Sequence, residues 1–328
     1  MDRTSASGAE GRRSDSFRGH VSNLKSPSRN RYVLRRFLVF AAISLLVVGV
    51  LKFVATKTAG VDLDASVTPT PIPVASPEHD CDANSPVDLE FISTWTNEFG
   101  AVDFNATITD LVHDCTYSIG DEKKIFPMAS TGKVMVATGV LEKVAAGKIS
   151  YESIEDDITL MITQSDNSAA DRLYKKMGKA KAMKALISSY GLVDTVTGKG
   201  WGTILTNSKD QAHLLDQVLG TADSPLPEKQ RAILRKLMSG VNPEQAWGAG
   251  HGIPEDWTEA VKNGWYLSEP GDIPPVGLWR INSLGYVWDS TGAARWNFAG
   301  YSNTWETQER GESAWSALSD HVVEVLAE

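Results

Sequence analysis

The apolar residues of this chain change their period twice, and that order of periods limits the folds open to it more than any other feature. Before residue 120 the pattern alternates. Residues 102–112 and 115–119 read as two strands joined by a turn at His113-Asp114, and Gly120-Asp121 ends the second. A helix begins near Ser130, and from Ile158 to about Leu219 the pattern is helical again. Val134, Ala137, Leu141 and Val144 mark the helix at Ser130, and Gly178, Gly191 and Gly198-Lys199-Gly200 break the later stretch. After Val241 alternation returns in residues 260–265, 278–288 and 295–300, with a turn at Asp289-Ser290-Thr291-Gly292 between the last two. A helix over 87–99, with Pro86 at its start, precedes the first strand. An amphipathic helix carrying Leu318, Val322, Val325 and Leu326 closes the chain. Early and late strands around a helical middle predict an α+β fold. One antiparallel sheet carries the terminal helices, and a helical lobe is inserted between its early and late strands.

The N-terminal third has a different character. Residues 1–32 are rich in Ser, Gly and basic side chains and poor in apolar ones, which predicts a disordered tail. Residues 33–55 contain the uncharged run from Phe37 to Leu51, long enough with its flanks to cross a bilayer as one helix. Arg29, Arg31, Arg35 and Arg36 put the preceding tail in the cytoplasm by the positive-inside rule. A cleaved signal peptide, giving a secreted product, is the competing reading. The long basic leader and the lack of a persuasive small-x-small site favour an uncleaved anchor in the cell membrane. Residues 56–80 hold Thr68-Pro69-Thr70-Pro71-Ile72-Pro73, a stiff linker, and residues 81–328 form the folded domain. Cys81 and Cys115 both lie beyond the anchor, so they are expected to form one disulfide; two buried thiols are the alternative. The net charge of −9 is concentrated beyond the anchor, which excludes nucleic-acid binding.

The segment Phe126-Pro127-Met128-Ala129-Ser130-Thr131-Gly132-Lys133 places Ser130 at a helix N-terminus. Lys133 follows one turn later on the same face. A desolvated lysine with a lowered pKa can take a serine proton and make it nucleophilic. By itself Ser-x-x-Lys is a weak signal, since Ser22 and Lys25 repeat it in the tail.

Two further motifs raise its weight. Ser165-Asp166-Asn167 lies between two helical stretches, and Lys262-Asn263-Gly264 ends a strand. With these the chain resembles the penicillin-recognising serine enzymes, the class A β-lactamases and low-molecular-weight D,D-peptidases, whose motifs run Ser-x-x-Lys, Ser-Asp-Asn, Lys-Thr-Gly. The resemblance covers about residues 85 to 328 and implies a β-lactamase/transpeptidase-like fold. It implies Ser130 as the acylated nucleophile and Lys133 as its base. Ser165 would relay a proton to the leaving nitrogen, Asn167 would hold Lys133 and the substrate amide, and Lys262 would supply positive charge. The backbone N–H groups of Ser130 and Trp265 would form the oxyanion hole. Asn263, Gly264 and Trp265 would line the substrate. The substrate would be a β-lactam or a peptidoglycan stem peptide.

Three departures bear on this. Asn263 stands where a hydroxyl residue is usual. Trp265 follows Gly264 where a small residue is usual, which would narrow the mouth. No Glu occurs between Asn167 and Asp210, although class A β-lactamases carry one in an Ω-loop about 36 residues after Ser-Asp-Asn. The base that activates the deacylating water is therefore missing, unless Asp194 or Asp210 replaces it. Slow deacylation is expected; a catalytically silent domain that binds peptidoglycan or a protein partner is the alternative. Most of the ten tryptophans lie after Trp201 and are expected to pack the late strands rather than stack on sugars. The six histidines show no ligand spacing, so neither a metal site nor a cofactor is expected.

Overall fold

The computed structural model describes residues 79–327 except Val102, Thr221 and Ala222. The expected tail (1–32), membrane helix (33–55) and nearly all of the linker (56–80) lie outside the described residues. Among the described residues no helix is long and apolar enough to cross a membrane.

Asp88 caps the first helix, α1 (Leu89–Phe99). Its side chain accepts a hydrogen bond from the Phe91 N–H, and Gly100 closes the helix in the left-handed region at φ 70°. That cap moves the start two residues beyond the expected one at 87. Strands β1 (Phe104–Asp110) and β2 (Cys115–Gly120) form a hairpin. A two-residue strand, β3 (Phe126–Pro127), leads into a single 3₁₀ turn at Ala129–Thr131 and then into α2 (Gly132–Ala145). The helical lobe continues with α3 (Glu155–Thr163), α4 (Asn167–Met177) and α5 (Lys179–Ser189). Strand β4 (Leu205–Thr206) pairs with β3 and is followed by α6 (Ser208–Leu219) and α7 (Glu228–Met238). Strands β5 (Thr258–Leu267), β6 (Trp279–Trp288) and β7 (Ala294–Ser302) and helix α8 (Gln308–Leu326) complete the chain. Helix α7 had no counterpart in the sequence reading.

The five long strands pair antiparallel in the order β2-β1-β7-β6-β5, so the early hairpin joins the late meander through β1 and β7. This is the expected sheet with an inserted lobe. Side chains alternate between its faces. Trp296 and Phe298 of β7 and Ile281 of β6 pack with Trp95, Trp305 and Trp315 of the terminal region. Ala299, Tyr301, Leu284 and Tyr286 face the lobe. Four tryptophans (Trp95, Trp296, Trp305 and Trp315) are fully buried, in line with core packing. Helix α2 is buried on every side from Gly132 to Leu141, so the residues at its N-terminus are held from all directions. Cys81 and Cys115 are bonded, with Cα atoms 5.7 Å apart, which ties the domain's first residues to β2.

Candidate active site

Ser130 sits in the 3₁₀ turn that opens α2. Three side chains fix that turn. Asn282 of β6 donates to the carbonyls of Pro127 (2.9 Å) and Met128 (3.1 Å). The Thr131 hydroxyl donates to Met128 O at 2.7 Å and lies 3.0 Å from the Tyr301 hydroxyl. Ala129, just before the serine, has φ 50°, and Ser165 has φ 56°. Positive φ in residues with a Cβ costs about 1–3 kcal/mol each and persists only where the surroundings impose it. At Ser165 the result is visible: its carbonyl turns onto the Lys133 amine at 2.6 Å.

Lys133 is fully buried and is the hub of the site. Its Nζ lies 2.9 Å from Ser130 Oγ, 3.0 Å from Ser165 Oγ and 2.8 Å from Asn167 Oδ1. Asp166 caps α4 by accepting from the Ala169 N–H, which presents Asn167 to the amine. Burial lowers the Lys133 pKa from 10.5 to about 8, against the opposing charges of Asp166 and Asp171. Four oxygen neighbours exceed the three N–H bonds of an ammonium. A neutral amine fits the same geometry by accepting the Ser130 hydroxyl proton at its lone pair. The arrangement can therefore activate a serine.

Lys262 of β5 is also fully buried, and its Nζ donates to the carbonyl of Asn263 at 2.9 Å. Burial, with the charge of Lys133 second, lowers its pKa from 10.5 to about 7. Strand β5 is the sheet edge and lies against the Ser130 turn. A Cβ at Gly264 would stand 2.6 Å from Ser130 N and 2.7 Å from Thr131 N, so only glycine permits this approach.

That contact corrects two expectations. Gly264 points at the serine turn, so its neighbours Asn263 and Trp265 point to the opposite face of the strand. The Asn263 amide donates to the carbonyls of Gln245 (2.9 Å) and Trp247 (2.6 Å), and its Oδ1 accepts from Ser283 at 2.7 Å. Both donors are committed inside the protein, and the side chain has none left for a substrate carboxylate. The Trp265 ring packs edge-on against Trp247, with centroids 5.9 Å apart. It does not narrow the approach to Ser130 as expected.

The aromatic group that does stand at the site is Trp201. Its ring lies 4.7 Å from Lys133 Nζ, and its indole N–H donates to Asp171 Oδ1 at 2.8 Å. Its carbonyl touches Gly132, where a Cβ would come within 2.5 Å. Trp201 is 36 residues after Ser165, the spacing expected for an Ω-loop Glu. Neither proposed substitute serves. Asp210 accepts from the N–H groups of Val193 (3.2 Å) and Asp194 (2.9 Å) and from the Thr195 hydroxyl (2.6 Å), and Asp194 accepts from Asn207 at 3.0 Å. Both carboxylates shape the loop between α5 and α6. Trp201, Asn282 and Tyr301 were not singled out from sequence as site residues; only the spacing to Trp201 offered a signal.

A buried lysine bridges the helix-start Ser130 to the Ser165-Asp166-Asn167 turn, beside an edge strand that carries Lys262-Asn263-Gly264 at its middle. Residues 151–273 match the family described as the Beta-lactamase enzyme family, a stretch that includes Ser165, Asn167, Trp201 and Lys262. No curated protein matches the sequence. Among solved structures, a β-lactamase from Xanthomonas campestris pv. campestris is similar, with 18% identity and a TM-score of 0.61 over 74% of this chain and 100% of that one. A β-lactamase from Chitinophaga pinensis has 16% identity and a TM-score of 0.61 over 72% of this chain and 97% of its own. The chromosome-encoded β-lactamase of Vibrio parahaemolyticus has 15% identity and a TM-score of 0.59 over 72% and 97%. At these identities the structural likeness is one of fold. The family match covers residues 151–273 and supports a serine hydrolase of the β-lactamase kind.

Proposed function

We propose that the protein is a membrane-anchored, extracytoplasmic serine hydrolase that forms an acyl-enzyme at Ser130 with β-lactams or D-alanyl peptides and deacylates slowly. The observation that carries this reading is the 2.9 Å contact between Ser130 Oγ and the amine of Lys133, whose pKa is lowered to about 8. Neutral Lys133 takes the serine proton as Oγ attacks the carbonyl carbon. The developing oxyanion faces the backbone N–H groups of Ser130 and Trp265. The Ser165 hydroxyl passes a proton to the leaving nitrogen, and Lys262 contributes positive charge beside this path. Release of the acyl group needs a water held by a base. Trp201, which carries no basic group, stands at the spacing expected for that base, so the ester persists.

The committed amide of Asn263 supports the second reading, a silent domain that binds peptidoglycan or a protein partner. Labelling of the full chain with a fluorescent penicillin separates the two. Label that is absent from Ser130→Ala supports the enzyme. An unlabelled wild type supports the silent domain.

A further inference from the structure

The fold brings together side chains that the sequence keeps far apart, on the side of the domain where the described chain begins. The tripeptide His-Asp-Cys occurs twice, as His79-Asp80-Cys81 and as His113-Asp114-Cys115. The disulfide joins the two cysteines, so it also brings the two histidines together. Their rings stack with centroids 3.7 Å apart and planes within 10°.

Asp110 completes the group. Its carboxylate is almost fully buried and oriented from the backbone, because Oδ1 accepts the N–H groups of Val112 (2.9 Å) and His113 (3.2 Å). That leaves Oδ2 facing His113 Nδ1 at 2.7 Å. One donor atom from each of His79, Asp110 and His113 lies within 4.8 Å of the others. The Nε2 atom of His79 is buried and has no hydrogen-bond partner, an unsatisfied state that a native interior rarely tolerates. The two histidines have no ligand spacing in the sequence; the disulfide, not a helix or a short loop, sets their distance.

We propose that His79, Asp110 and His113 form a divalent transition-metal site, with Zn²⁺ as its reference ion. Two imidazoles and one carboxylate suit zinc and its neighbours rather than calcium or magnesium, which take oxygen ligands. Zinc holds such donors at about 2.0–2.2 Å, which puts them roughly 3.4 Å apart in a tetrahedron. The three atoms need only draw together, through side-chain rotations that tilt the stacked rings so that their lone pairs converge. The cation replaces the hydrogen bond between His113 Nδ1 and Asp110 Oδ2, with the His113 ring proton carried on Nε2, and gives His79 Nε2 the partner it lacks. The site opens into a cavity of about 320 Å³ that Arg295 and Glu324 also line, one charge of each sign, with room for water to complete the coordination. Such an ion would form a second cross-link beside the disulfide, fastening the entry of the chain to the β1–β2 hairpin. The proposal does not depend on the catalytic reading.

The test is zinc uptake by the full chain in detergent, measured by equilibrium dialysis and elemental analysis, beside His79→Gln and His113→Gln. His113 is exposed, so its replacement leaves the core intact; a thiol assay on each variant verifies that the disulfide has formed. The expected result is one zinc per wild-type chain, with affinity more than about 100-fold weaker in either variant, beyond the roughly 10–100-fold effect of losing an outer-shell partner. Cobalt(II) should give d–d absorption in the wild type and lose it in both variants. Wild-type chain without stoichiometric zinc, or uptake unchanged in both variants, would overturn the proposal.

Discussion

The rate at which a penicillin acylates Ser130 should follow a narrow bell in pH. The perturbation is pH itself, and the two groups are Lys133, lowered to about 8, and Lys262, lowered to about 7. Lys133 acts neutral and Lys262 acts charged. The fraction of molecules with both conditions met is about 6% at pH 7.5 and about 1% at pH 6 and pH 9, so the rate falls about sixfold on either side. An ordinary lysine at 10.5 would be about 0.03% neutral at pH 7 against about 9% for Lys133, so burial supplies roughly 300-fold of base. Replacing Lys262 with Arg, whose charge persists, should remove the alkaline limb. The rate of that variant then rises about tenfold from pH 7 to pH 9. Stopped-flow labelling with a fluorescent penicillin measures both profiles. A wild-type rate that is flat from pH 6 to 8 would refute the role given to Lys133. One that keeps rising past pH 9 would refute the role given to Lys262.

Trp201→Glu should restore a carboxylate beside Lys133 and shorten the lifetime of the acyl-enzyme by about 10²–10⁴-fold, the range for general-base catalysis, as read by the decay of the labelled protein. No change in lifetime would mean that the loop fails to hold water there. Gly264→Ala drives a Cβ into the backbone N–H groups of Ser130 and Thr131, so acylation should fall about 100-fold while thermal unfolding shows a loss of about 1–3 kcal/mol. Near-normal labelling would show that the edge strand shifts without consequence. Cys81→Ser with Cys115→Ser removes a cross-link between residues 34 apart and should lower stability by about 3–4 kcal/mol in denaturant unfolding. An unchanged midpoint would contradict that.

Much of this architecture was legible because apolar period survives folding. The alternation in residues 278–288 and 295–300 became β6 and β7, and Val134, Ala137 and Leu141 are buried in α2 as their spacing required. Helix α7 escaped because Gly220, Pro225 and Pro227 read as loop punctuation ahead of a stretch crowded with charge. The directions of Asn263 and Trp265 could not be read, since β5 is buried on both faces and alternation does not say which face meets the serine. Trp201 was hidden for a chemical reason: an indole carries no acid-base signal, and only its distance in sequence from Ser165 marks it. The pairing of His79 with His113 follows from the expected disulfide, because each histidine lies two residues before a bonded cysteine in the repeated His-Asp-Cys.

The central claim is that Ser130 is acylated and stays acylated. Intact-mass spectrometry of the full chain after incubation with penicillin tests it most directly, with Ser130→Ala beside it. The account predicts a mass increase of one penicillin per chain that persists after the free drug is removed and is absent from the alanine variant. Rapid loss of the drug with no adduct would contradict the slow deacylation assigned to Trp201. Neither adduct nor hydrolysis would contradict the assignment of Ser130 as a working nucleophile.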